Sequence, residues 1–388
     1  MDEFDGRGFA SKLNCVGVGK MRQTIPQRLY TASDLIEGFN PFDELGFTLT
    51  RDFATFRQFA VDGGPVPPSL EVRTAQADHD SAIADALRRF LIEVRRPLVG
   101  IMGGHAAKRN GQAFADIARL AWELVQEGYL IVTGGGPGVM EAAHVGVAFS
   151  KNDGGDLDKA LAKLAKYPDY GSLDDLFEAD GTVKENKRPD LVKARDWLQA
   201  ALEIRSNAPP IMPLSLAIPT WLYGAEPTMP FATHYAKYFQ NSLREEALVN
   251  NSRAGIVYGQ GGGGTMREVF QDVERNYYAK SAQDFTPMIF YDKGGYWRSA
   301  AIYEGNQVKT FGIKLDDAIP TILKFGICAR LNLDDAGLRR FLDKIVFSED
   351  LGVIKQVLAN NSGTAQRNMS FALQAQPAKI AGLRMNRV

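Results

Sequence analysis

The sequence predicts an α/β protein built on a Rossmann-like, doubly wound parallel sheet, with helical extensions on both sides of it. Three observations carry this. Short apolar runs alternate with helix-spaced segments between residues 97 and 291. Two glycine-rich turns, 134–138 and 259–265, sit where a strand passes into a helix. The composition, 45% hydrophobic and 23% charged with 38 glycines, is that of an ordinary globular chain.

Taken in order, residues 1–95 read as an accessory region. It has a Gly/Pro-rich break at 63–68 and a helical stretch over 81–94. Leu98-Val99-Gly100-Ile101-Met102 is an apolar run ending in Gly103-Gly104, as a buried parallel strand should. Phe114, Ile117, Ala118, Ala121, Leu124 and Val125 give helical spacing over 112–126, and Gly128 stops that helix. Tyr129-Leu130-Ile131-Val132 is the next strand, feeding the first glycine loop and a helix over 139–149. Residues 150–210 read as an insertion rich in Asp and Lys, with a helix at 191–204. The alternation resumes with a helix over 232–250, a strand at 255–258, the second glycine loop, a helix over 266–278 and a strand at 287–291. Residues 301–388 read as a mostly helical extension with a polar tail after about residue 360. The central domain thus spans 96–300.

The formal net charge of −1 argues against a nucleic-acid partner, since backbone binding needs a basic footprint. No run reaches the ~18–20 apolar residues a membrane span requires. Met1-Asp2-Glu3-Phe4-Asp5 is acidic and lacks the order of a signal peptide, so a cytoplasmic protein is expected. The two cysteines, Cys15 and Cys328, suggest no disulfide framework and read as buried, inert thiols. His79, His105, His144 and His234 show no ligand spacing, so neither a metal nor a cofactor is expected. A P-loop is absent: Gly19-Lys20 is followed by Met21, and Asn14 occupies the first glycine position.

A glycine-rich turn at a helix start brings backbone N–H groups to an anion, and the helix end adds about half a positive charge. Gly134, Gly135, Gly136 and Gly138 form one such turn, with Pro137 in a position a first helical turn tolerates. Gly261, Gly262, Gly263, Gly264 and Thr265 form the other, and four consecutive glycines are costly to order for a plain connection. Two such turns in one parallel sheet aim at the same end of it. Thr265 is placed to cap the following helix, to donate to a phosphate, or to form a capping box with Glu268. Gly259, Gly261 and Gly264, with Asp292 beyond the next strand, also fit a dinucleotide fingerprint, which keeps an NAD-dependent enzyme as a rival reading. On the 232–250 segment, His234, Lys237, Asn241 and Arg244 share a polar stripe, and Arg244 suits bidentate contact with phosphate or carboxylate. Trp221 and Tyr223 suit either base stacking or packing in the core or a lid.

At these residues the chain resembles a known family. Gly134-Gly135-Gly136-Pro137-Gly138-Val139-Met140-Glu141-Ala142-Ala143 looks like the GGGPGxMEAA signature of the Lonely Guy (LOG) family of nucleoside 5′-monophosphate phosphoribohydrolases. Residues 260–268 resemble its second signature, PGGxGTxxE, with Gln260 in place of the proline. The upstream Arg-Lys pair is matched at Arg244 alone, Glu245 standing for the lysine. The resemblance covers about 97–300. It implies hydrolysis of an N-glycosidic bond to free base and ribose 5-phosphate. Glu268 would stabilise the oxocarbenium-like state and activate water, with Arg244 orienting the substrate. The 261–265 loop would cradle the phosphate. The first loop and Glu141 would line the ribose or base side, and Gly103, Gly104 and Asn241 complete the nucleotide-binding set; His105, just after Gly103-Gly104, reads either as a nucleotide contact or as an ordinary loop histidine. Glu141 also reads as a solvated first-turn residue. A small-molecule nucleotide is the implied partner and a homodimer or larger homo-oligomer the implied assembly. A non-catalytic nucleotide carrier or sensor using the same loops is the alternative. No lysine sits in a context arguing for a pyridoxal phosphate Schiff base, so lysine decarboxylation has no support.

Overall fold

The computed structural model describes residues 25–178 and 180–361. Cys15, the 14–21 segment and the polar tail past residue 361 lie outside the described residues.

The chain opens with α1 (Ala32–Leu35), α2 (Arg51–Val61) and a long α3 (Leu70–Val94). The Gly/Pro break is the turn between the last two. Next come β1 (Leu98–Met102), α4 (Gln112–Gln126), β2 (Leu130–Thr133) and α5 (Val139–Ala148). The insertion contributes α6 (Gly154–Leu164) and α7 (Arg188–Arg205). After it run β3 (Ser215–Ala217), β4 (His234–Tyr235), α8 (Asn241–Asn251), β5 (Gly255–Tyr258), α9 (Gly263–Tyr277) and β6 (Met288–Tyr291). The chain continues through β7 (Ala300–Glu304), β8 (Gln307–Ile313), α10 (Leu315–Leu331), α11 (Asp335–Leu342) and β9 (Ile345–Ser348).

Seven strands form one sheet in the order β4-β3-β2-β1-β5-β6-β9, every neighbouring pair parallel. This is the doubly wound α/β architecture. Its strand order reverses between β1 and β5, which opens a crevice beyond their carboxyl ends. Both faces are covered, because alternate residues of each strand point to opposite sides. Val99, Ile101 and Ile131 pack among α4, α5 and α7. Leu98, Met102, Leu130 and Val132 pack among α3, α8, α9 and α10. The N-terminal helices join both layers, Phe47 and Phe53 on one side and Ile83, Leu87 and Phe90 on the other.

Three expectations change. The segment 232–240 is not helical; the helix begins only at Asn241. In the extended form Tyr235 and Ala236, both fully buried, donate their N–H groups to Tyr30 and Ala217 carbonyls at 2.8 Å each, satisfying backbone that water cannot reach. Apolar spacing does not separate a short buried strand from a helix turn. The C-terminal extension, helical over 36 of its described residues 301–361, also carries strands: β7 and β8 pair as an antiparallel hairpin, and β9 completes the sheet at its edge. Cys328 is exposed on α10, not a buried thiol. No helix among the described residues is long and apolar enough to cross a membrane.

Candidate active site

The loops after β1, β2 and β5 meet at the carboxyl end of the sheet. Gly104 N–H donates to the Gln260 carbonyl at 2.8 Å, and Val139 N–H donates to the Gly104 carbonyl at 3.3 Å, so one glycine ties the two loops together. Gly138 has φ +73°, and a Cβ there would lie 2.5 Å from the Gly104 oxygen. Only glycine fits. At Gly261 a Cβ would lie 2.1 Å from Thr265 Oγ1. At Gly262 and Gly263, by contrast, a Cβ would meet nothing within 4 Å. The fold does not require glycine at these two positions, which stand exposed at the start of α9.

Arg244 on α8 and Glu268 on α9 form a buried ion pair, Nη1 to Oε1 at 2.6 Å, each side chain 7% exposed. Burial pushes the Glu268 carboxyl above its ordinary range; the Arg244 guanidinium opposes this and nearby Glu245 adds to it. A Cβ on Gly134 would lie 3.4 Å from Arg244 Nη1 and 3.9 Å from Glu268 Oε1. The first loop therefore presses on the pair carried by the second loop's helix. Asn241 steadies Arg244: its Oδ1 accepts from Nε at 3.2 Å, while its Nδ2 donates to Glu245 at 2.8 Å. Glu245 in turn pairs with Arg267 at 2.9 Å. The capping box is not formed. Helix α9 starts at Gly263 with Gly262 as its N-cap and no side-chain cap, and Thr265 lies inside the first turn.

Glu141 stands elsewhere. It is wholly buried and receives Arg109 Nε at 3.0 Å and Nη2 at 2.5 Å, so it is not a solvated helix residue. Arg109 also donates to the Trp197 carbonyl at 3.0 Å and lies 3.6 Å over that indole ring. Burial raises the Glu141 carboxyl against the pull of this guanidinium.

Two clefts flank the first loop. One, of about 460 Å³, is lined by Gly134, Gly136, Tyr223, Lys237 and Arg244. The other, of about 900 Å³, is lined by Arg109, Gly138, Glu141, Tyr170 and Trp197. Glu226 borders both, and its Oε1 lies 2.6 Å from His105 Nδ1, a contact that raises the His105 pKa. Trp221 and Tyr223 separate in role. Trp221 is core, stacked on Phe239 at 4.3 Å between centroids, whereas Tyr223 is 43% exposed at the cleft.

Several residues here escaped the sequence reading. Asp52, from α2, accepts from Trp221 Nε1 at 2.9 Å, from Thr228 Oγ1 and from Lys237 Nζ at 2.8 Å. A carboxylate from the N-terminal region thus fixes one wall of the cleft. Arg109 had no signal in spacing or motif, and Lys237 had only its place on a polar stripe. Asp292, the acid of the dinucleotide fingerprint, accepts from Trp297 N–H at 2.6 Å and Arg298 Nε at 2.5 Å and so braces its own turn. No group of three or more His, Cys, Asp or Glu suited to a metal ion occurs among the described residues.

The chain matches no protein-family model, and no curated protein is significantly similar to it.

Proposed function

We propose that this protein is a Lonely Guy-type phosphoribohydrolase, hydrolysing the N-glycosidic bond of a nucleoside 5′-monophosphate. The observation that carries the reading is the buried Arg244–Glu268 pair, held against Gly134 at the point where two glycine loops converge. In this reading the 5′-phosphate lies over the open backbone of 262–265 at the start of α9, where N–H groups and the helix dipole favour an anion. Arg244 holds Glu268 Oε1, leaving Oε2 free of hydrogen bonds among the described residues. That oxygen faces the anomeric carbon, stabilises positive charge as the C1′–N bond breaks, and takes a proton from the attacking water. The base leaves with the bonding electron pair and is protonated by solvent. A cytoplasmic homo-oligomer belongs to the same proposal.

The test is incubation with AMP, GMP, IMP, CMP and UMP, measuring free base and ribose 5-phosphate. Glu268→Gln is expected to abolish turnover and keep nucleotide binding. No release from any of the five by folded wild-type protein refutes the reading. A second reading, a non-catalytic nucleotide carrier, draws on the same pair, because Arg244 already engages one oxygen of Glu268. Nucleotide binding with no wild-type turnover would favour it.

A further inference from the structure

The strap between β3 and β4 crosses the mouth of the smaller cleft and carries one aromatic residue that the fold does not use. Its 3-10 turn, Trp221–Tyr223, is held from three sides. Thr220 Oγ1 accepts from Leu222 N–H at 3.1 Å, and Trp221 N–H donates to the Tyr238 carbonyl at 3.0 Å. Trp221 Nε1 reaches Asp52 of α2, and a Cβ at Gly224 would lie 2.6 Å from the Phe56 ring. The strap backbone is thus pressed onto the N-terminal helices. Tyr223 is different: it is 43% exposed, and its hydroxyl has no hydrogen-bond partner among the described residues. That hydroxyl lies 3.9 Å from where a Cβ on Gly264 would stand, directly beside the open second loop.

We propose that Tyr223 is a substrate-binding residue whose hydroxyl donates to the 5′-phosphate, on a strap that the N-terminal helices hold in position. This rests on the reading of the second loop as a phosphate cradle. A phenol on a rigid mount loses little freedom on binding, and a hydrogen bond to a charged acceptor is stronger than one to a neutral group.

The experiment is calorimetric titration of AMP and adenosine into wild-type protein and Tyr223→Phe, with thermal melts confirming that both are folded. The expected result is about tenfold weaker AMP binding in the variant, equivalent to about 1.4 kcal/mol, with adenosine unchanged. The KM for AMP should rise by the same factor with kcat unaltered, the mark of lost uniform binding. Equal affinities for AMP in the two proteins, or equal weakening of AMP and adenosine, overturns the inference alone. Wild-type protein that binds neither ligand overturns the phosphate cradle and this inference with it.

Discussion

Replacing Glu141 by glutamine separates a structural acid from a substrate-binding one. The Glu141 and Arg109 side chains are 0% and 1% exposed and share two hydrogen bonds, and the guanidinium carbon lies 3.6 Å over the Trp197 ring. Glutamine keeps the shape but leaves the arginine charge in the core without a counter-ion. Breaking one half of a buried pair costs about 3–5 kcal/mol, whereas replacing both halves with apolar residues is close to neutral or stabilising. Glu141→Gln should therefore lower unfolding free energy by about 3–5 kcal/mol, and Arg109→Met with Glu141→Leu should recover most of it. The assay is urea unfolding followed by tryptophan fluorescence, with AMP affinity measured for each variant where it is folded. A stability loss under about 1 kcal/mol, accompanied by more than tenfold weaker AMP binding, would show that Glu141 serves the ligand and refute the reasoning.

Three further outcomes follow from a buried histidine and from the loops. Burial lowers the His144 pKa from its ordinary 6.5 to about 3. Its stabilising contribution is therefore complete above pH 6.5 and is lost as pH falls toward 3, at about 1.4 kcal/mol per unit. His144→Leu should flatten this part of the stability profile, and a slope equal to that of wild type would contradict it. Gly138→Ala should destabilise the protein by about 1–3 kcal/mol, since it forces a left-handed residue against the Gly104 oxygen. Gly263→Ala should leave stability equal or raised by about 0.4–1 kcal/mol yet weaken AMP binding, because only a ligand needs that space. Unchanged AMP affinity in Gly263→Ala would remove the ligand as the reason for glycine there.

What could be read in the residues was local. The strand Leu98–Met102 and the helix Gln112–Gln126 coincide with their apolar patterns, the strand as a continuous run buried at every position and the helix because it buries a face whose period is long enough to see. The glycine loops were legible because four adjacent glycines have no cheap structural explanation. Strands β3 and β4, of three and two residues, are too short to show a pattern, and the aromatic segment before Asn241 imitated a helix. Arg244 and Glu268 could be singled out one at a time, and their 2.6 Å contact is a product of the fold. Glu141 shows the opposite case. Its motif could be seen in the residues, and the arginine 32 positions earlier that engages both of its oxygens could not.

Asp52 reaches partners 169, 176 and 185 residues further along the chain. During synthesis, α2 emerges long before Trp221, Thr228 and Lys237 exist to meet it, so its carboxylate stays in water until more than half the protein has been made. Contacts of such sequence separation are slow to form, because loop-closure entropy precedes their reward. The sheet strands β1 and β2 pair across some 30 residues and have no such wait. The cleft wall is thus a late event in folding. Loss of the Asp52 carboxylate would leave Trp221, Thr228 and Lys237 without their shared acceptor and the cleft wall without its brace.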